Sequence, residues 1–378
     1  MSRTRIILPW VFLVCMSLLP WTSQSLRVKS STGDNVLIIA NTFVPTTNDS
    51  STREIERMSN GTHESSENHT VPKSAQAVNL RPVIGILSQE PSRSLQRALQ
   101  RHNMSSYTSY IAASYVKTVE AAGARVVPIM INKDAEYYKK LATSLNGILF
   151  PGGAVSVTNS SGYGAAGDAL YQMVMASNAR GQPMPLWATC LGFEMLVYLA
   201  AGRKNNLLTS CAAIDRAVPL HLQPGWQESK LWKDASPELL QAVQSQNITY
   251  NFHKFCVTPE TFRKLDVNDS YYVSSLNTDD NSLPYVSTIE HKTYPIYGTQ
   301  WHPEKNSYEW RSDAKIPHSP VAVDLERHVS KVFVQEARSN NNSFNSEAEL
   351  ESYLIYNYSP VYMAKLYKSS FQQCYLFK

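Results

Sequence analysis

The chain is poor in cysteine. It has five in 378 residues, with no CxxC pair and no ladder of even spacings, which excludes a disulfide scaffold and a thiolate zinc site. It also lacks any patch of Lys and Arg interleaved with aromatics, and the formal charge is only +4. No nucleic-acid partner is therefore expected. The 21 tyrosines are spread along the chain and form no single platform. No internal period suggests a repeat architecture. Past the first 25 residues no apolar run is long enough to cross a bilayer, so no membrane attachment is expected of the mature chain.

What is present starts at the N terminus. "MSRTRIILPWVFLVCMSLLPWTSQS" sets Arg3 and Arg5 before an apolar core from Ile6 to Pro20, with small polar residues after it. That is the layout of a secretory signal peptide over residues 1–25, a retained anchor being the alternative. Sequons at Asn48, Asn60, Asn68, Asn103, Asn159, Asn247, Asn268, Asn341 and Asn357 agree with the secretory route. Residues 26–79 turn to Ser, Thr, Asn, Glu and His, a composition that buries too little apolar surface to offset ordering. They read as a disordered, glycosylated leader, in which "NVLIIANTFV" is an apolar patch without an assignment. Loss of Cys15 with the signal leaves four cysteines. An oxidising compartment permits one bridge among Cys211, Cys256 and Cys374, with Cys190 free; the sequence does not say which pair.

Order is expected from residue 80 to 378, as one domain. "PVIGILSQ", "ARVVPIM", "NGILFPGG" and "MPLWATC" read as strands. Between them run helical stretches: "SYTSYIAASYVKTVEAAG", stopped by Gly123, then "KDAEYYKKLATSL", and a segment near Ala165 to Asn178. Strands alternating with helices imply a three-layer α/β fold, a mostly parallel central sheet flanked by helices. Ligand sites in such sheets lie beyond the carboxyl ends of the strands. After Leu207, "ITYNFHKFCVTPE", "YYVSSLNTD" and "LPYVSTIEHKTYPIYGTQWHPE" read as strands and turns, and "SPVAVDLERHVSKVFVQEARSN" as a last helix.

In "PLWATCLGFEML" a strand delivers Cys190 to the start of a helix, a nucleophile elbow. A thiol there is exposed to substrate and faces the positive helix end, which favours the thiolate. Ala188 and Gly192 are the small neighbours such a turn needs. The Leu191 amide points to where an oxyanion forms, and Gly152 or Gly153 of "FPGG" offers a second donor. A lone cysteine beside Leu and Trp is more often an inert core residue. What argues for chemistry is "GTQWHPEKN": His302 and Glu304, two apart at a strand end, project to one side. Glu304 would orient His302, which would take the proton from Cys190.

The combination resembles the class I glutamine amidotransferase-like fold, whose Cys-His-Glu triad has this chain order. Those amidotransferases usually read Gly-X-Cys-X-Gly-X-Gln at the elbow. Here "ATCLGFE" has Ala188 for the first glycine and Glu194 for the glutamine. The departure points to the sister family, the gamma-glutamyl hydrolases. "IAASYVKTVEAAGARVVP", "NGILFPGG", "TCLGFE", "NFHK", "YGTQWHPEKNSYEW" and "SSFQQCY" all resemble it, from about Arg81 to the C terminus. The resemblance implies that Cys190 attacks a gamma-glutamyl amide to form a thioester, with His302 as base and then acid, oriented by Glu304. Gly153 and Leu191 would form the oxyanion hole. His253 of "NFHK" would bind substrate, a loop histidine without a role being the alternative. Glu194 would contact the glutamyl amine, or else act as a helix cap or surface carboxylate. The family cleaves folyl- and antifolyl-poly-gamma-glutamates without metal or organic cofactor, in the lysosome or extracellular space, as homodimers. The leader exceeds what the family leads one to expect. A glutaminase domain, or a glycosylated binding protein with a vestigial triad, are the rival readings.

Overall fold

In the computed structural model the described residues are 24–29, 35–40, 78–366, 369 and 371–378. They fall into two units, each taken by itself. In the first, β1 (Gln24–Lys29) pairs antiparallel with β2 (Asn35–Ala40), from Gln24 opposite Ala40 to Lys29 opposite Asn35. "NVLIIA", unassigned from sequence, is the second of these strands. The remaining expectations for residues 1–77, including the sequons at Asn48, Asn60 and Asn68, lie outside the described residues.

The second unit opens with β3 (Val83–Leu87), α1 (Arg93–Arg101), β4 (Ser109–Ala112), α2 (Ala113–Ala121), β5 (Arg125–Ile129), α3 (Ala135–Ser144) and β6 (Gly147–Phe150). It continues with α4 (Gly162–Ala179), β7 (Leu186–Thr189), α5 (Leu191–Ala200), β8 (Thr209–Val218), β9 (His221–Leu222), α6 (Pro237–Ser245) and β10 (Thr249–Cys256). Then follow α7 (Pro259–Lys264), β11 (Tyr271–Thr278), β12 (Pro284–His291), β13 (Ile296–Thr299), α8 (Lys305–Tyr308) and α9 (Pro320–Ala337). Last come α10 (Glu347–Tyr353), β14 (Val361–Tyr362) and β15 (Gln373–Phe377). The main sheet runs β5-β3-β6-β7-β13-β12-β11-β9. The first five strands are parallel, and β12, β11 and β9 extend the sheet by antiparallel pairing. The mostly parallel α/β fold is therefore as expected.

Alternation along the parallel strands builds two cores, one on each face. Ile148 and Phe150 of β6, with Leu186 and Ala188 of β7, pack among Leu141, Leu170 and Phe193 of α3, α4 and α5. Leu149 and Trp187, the intervening residues, pack on the other face with Val116, Val119 and Val329 of α2 and α9. Helices on both faces complete the three layers.

Two local readings are corrected. The segment from Ser109 to Ala112, expected as the first turn of a helix, is strand β4, and the helix begins at Ala113. The cause is long-range: Ser109–Ala112 pairs with Phe377–Cys374 of β15, a partner local periodicity does not reveal. His302 and Glu304 do not end a strand either. β13 stops at Thr299, and both residues lie in the turn that leads into α8.

Candidate active site

Three adjacent parallel strands deliver the site. Phe150 of β6 pairs with Ala188 of β7, and Thr189 of β7 with Thr299 of β13, so all three strands end at one edge. Beyond them come Pro151-Gly152-Gly153, Cys190 and His302. Cys190 adopts φ 52° and ψ −106°, a conformation a non-glycine residue seldom takes. The elbow is held on both sides: the Cys190 N–H donates to the Thr299 carbonyl (2.8 Å), and the Glu194 N–H donates to the Cys190 carbonyl (2.9 Å). Gly192 is required by close approach, since a Cβ there would lie 2.1 Å from the Phe150 carbonyl oxygen.

His302 Nδ1 lies 2.8 Å from Glu304 Oε1, with both groups buried. The turn places them together, although no strand alternation does so. A Cβ on Gly152 would lie 2.8 Å from His302 Cε1 and 3.2 Å from Cys190 Cβ. The thiol and imidazole thus converge around a position that only glycine leaves open. Tyr115, which sequence reasoning missed, stands behind them. Its hydroxyl accepts from the Gly152 N–H (2.8 Å) and lies 3.4 Å from His302 Nδ1. Gln89, also missed, donates from Nε2 to the Gly152 carbonyl (2.7 Å). Of the two glycines offered as oxyanion donors, Gly152 has its N–H taken by Tyr115. The Gly153 N–H has no hydrogen-bond partner among the described residues.

At the thiol two effects compete. Burial pushes the Cys190 thiol well up, Glu194 and Glu304 push it further, and Lys305 and the Leu191 N–H only partly oppose them. Desolvation of the charged sulfur thus works against the helix end. Burial lowers His302 below its ordinary value despite Glu304, which leaves a neutral imidazole with a base nitrogen. Burial alone would raise Glu304, but His302 and Lys305 hold it low and charged.

A cleft of about 570 Å³ opens over Cys190, lined also by Gly153, Leu191, Glu194 and His253. Glu194 is neither surface carboxylate nor cap. It is buried, accepts from Gln300 Nε2 (3.2 Å), and burial raises its carboxyl to about 8. His253 sits on β10, not in a loop, and is buried with Nδ1 3.0 Å from the Phe255 carbonyl. Burial lowers it to about 3. Its neighbours are Cys211 and Cys256, which form a disulfide, while Cys190 and Cys374 are free. Two sulfurs and a ring nitrogen of Cys211, Cys256 and His253 lie within 4.8 Å of one another, a spacing suited to a metal, but the disulfide takes up both sulfurs.

A buried Cys, His and Glu at the carboxyl edge of a parallel sheet, under an open cleft, define a class: a peptidase-type hydrolase of α/β fold. The comparisons narrow it. The Peptidase C26 family profile matches residues 82–304, more than half of the chain. The gamma-glutamyl hydrolase of Homo sapiens is 39% identical over 297 residues, covering 79% of this chain and 90% of that protein. That of Bos taurus is 40% identical over 298 residues, with the same coverage. Gamma-glutamyl hydrolase B of Dictyostelium discoideum is 38% identical over 301 residues, 79% of this chain and 84% of the other. The chain belongs to the gamma-glutamyl hydrolase family of Peptidase C26.

Proposed function

We propose that the protein hydrolyses the gamma-glutamyl amide bonds of folyl- and antifolyl-poly-gamma-glutamates, with Cys190 as nucleophile. The reading is carried by one observation beyond family membership: Cys190 and His302 converge around Gly152, with His302 tied to Glu304. With Nδ1 engaged by Glu304, Nε2 of the neutral imidazole takes the thiol proton as sulfur attacks the amide carbonyl. Burial, which raises the thiol, favours this coupled transfer. The tetrahedral oxyanion receives the N–H groups of Gly153 and Leu191. Its collapse breaks the C–N bond, and His302 returns the proton to the leaving amine. Water, deprotonated by His302, then attacks the thioester; collapse breaks the C–S bond, His302 returns the proton to the sulfur of Cys190, and the acid ionises in water to the free gamma-carboxylate. His253 and Glu194 bind the substrate. Every proton is accounted for by His302 and water, so the reaction as written calls on no cofactor.

The same proposal extends to place and assembly: a signal peptide over residues 1–25, a glycosylated leader over 26–79, and a catalytic domain over 80–378. The protein would pass through the secretory pathway to the lysosome, the extracellular space or both, and act as a homodimer. Support for the route comes from the sequons at Asn103, Asn159, Asn247, Asn268, Asn341 and Asn357, all six of which are exposed. The Cys211–Cys256 bridge suits an oxidising compartment. No described helix is long and apolar enough to cross a membrane.

The test is incubation of the mature protein with pteroyl-penta-gamma-glutamate at acidic and neutral pH, followed by chromatography. Shortened folates from wild type, none from Cys190→Ala, and no ammonia from glutamine are expected. Ammonia release would favour a glutaminase. No cleavage by folded, thiol-reduced protein would leave a binding protein with an inherited triad.

A further inference from the structure

The wall of the cleft opposite the elbow carries side chains that the mechanism does not use. β8 and β10 pair only with each other, in a two-stranded sheet apart from the main one. A strand pair of that size is marginal by itself. Here the Cys211–Cys256 disulfide closes it. Several hydrogen bonds dock it, among them the Ala212 N–H to Asp279 Oδ2 (2.7 Å), the Tyr285 hydroxyl to Asn251 Oδ1 (3.2 Å) and the His302 N–H to the Tyr250 carbonyl (2.8 Å). The strand pair is thereby fixed to the candidate catalytic turn.

Its register slips on both sides of His253. A regular strand alternates its faces, but along β10 Phe252 is exposed, His253 buried, and Lys254 and Phe255 both exposed. Bulges beside active sites re-aim side chains in this way. The consequence is three large apolar side chains left in water: Ile214 at 42%, Phe252 at 38% and Phe255 at 51% exposure. All three, with Lys254, line the cleft that holds Cys190. Apolar side chains gathered in a concave site mark a binding face rather than scattered surface residues. Lys254 makes no ion pair among the described residues. Glu194, the carboxyl that lines the same cleft, is held protonated by burial below about pH 8 and does not oppose an anion.

A gamma-linked glutamate tail leaves one free α-carboxylate per residue, and a folyl group ends in aromatic rings. We propose that this face reads both: Lys254 pairs with an α-carboxylate of the tail, and Phe255 with Phe252, backed by Ile214, takes the aromatic head. The inference rests on the activity proposed above.

The test is steady-state kinetics of the full mature chain with pteroyl-penta-gamma-glutamate and with acetyl-capped penta-gamma-glutamate, which lacks the rings. Lys254→Ala should raise KM about two- to fivefold at low salt for both substrates, the scale of an exposed ion pair. At 1 M salt, where the screening length is about 3 Å, the difference should vanish. Lys254→Arg should restore the low-salt KM. Phe255→Ala should raise KM about two- to tenfold for the pteroyl substrate alone. An unchanged KM for Lys254→Ala, or a rise that salt does not erase, overturns the carboxylate assignment. Equal losses on both substrates for Phe255→Ala overturn the ring assignment. Cleavage of neither substrate by wild type is a separate result, which overturns the activity and this inference with it.

Discussion

Tyr115→Phe removes one oxygen atom from the support of the site. Tyr115 is 1% exposed, and its hydroxyl is the acceptor for the buried Gly152 N–H at 2.8 Å. The phenyl ring still fills the same space, so no cavity larger than the hydroxyl results. What is lost is the partner of a buried amide, which costs about 1–3 kcal/mol. At about 2 °C per kcal/mol for a domain of this size, the melting temperature should fall by about 2–6 °C. The catalytic effect follows from position. Gly152 precedes Gly153, the proposed oxyanion donor, and the turn would then keep its carbonyl bonds, to Gln89 at Gly152 and to Tyr163 at Pro151, but lose the one at its amide. A loosened donor should lower kcat by about 10- to 100-fold. KM should change little, because Tyr115 does not line the cleft. Differential scanning calorimetry with single-turnover kinetics measures both effects. Wild-type kcat together with a wild-type melting temperature would refute the reasoning. A stability loss without a kcat loss would refute its catalytic half.

Two further predictions concern charge and covalent closure. Glu194 has a folded value near 8, above its ordinary value of 4.5. The stability it contributes is therefore fully present below about pH 4.5 and is lost as pH rises through 8. Glu194→Gln should flatten that decline in urea titrations between pH 5 and 8, and should abolish the rise in KM expected for an anionic tail as wild-type Glu194 ionises. A wild-type stability that rises over this range would count against the assignment. Cys211→Ser with Cys256→Ser opens a loop closed across a separation of 45 residues, worth about 4 kcal/mol of chain entropy. Reduced stability and a raised KM are expected, with the thiol reactivity of Cys190 unchanged; a stability equal to that of wild type would contradict the closure argument.

Much of this fold is legible because its strands are short apolar runs bounded by turn residues, and its helices keep their period. "NGILFPGG" and "MPLWATC" end in residues whose job at a strand edge can be argued locally. What is not legible depends on distant partners. Ser109–Ala112 follows helical periodicity, yet strand β15 captures it from more than 260 residues away. Nothing in the chain singles out Tyr115 among 21 tyrosines, since its hydroxyl matters only once α2 packs beneath Gly152. The rise that burial causes at the Cys190 thiol is not legible either, because the helix end is local and visible, whereas burial is set by the whole fold. The pairing of Cys211 with Cys256 likewise follows from the register of β8 and β10, not from spacing.

The central claim is that Cys190 becomes acylated during turnover. Rapid acid quench of the enzyme with pteroyl-penta-gamma-glutamate, followed by peptide mass spectrometry, tests it directly. A transient mass increase equal to the acyl fragment, on the peptide that carries Cys190 and lost with the rate of turnover, is the expected result. Turnover by Cys190→Ala, or incorporation at any other residue, would contradict it.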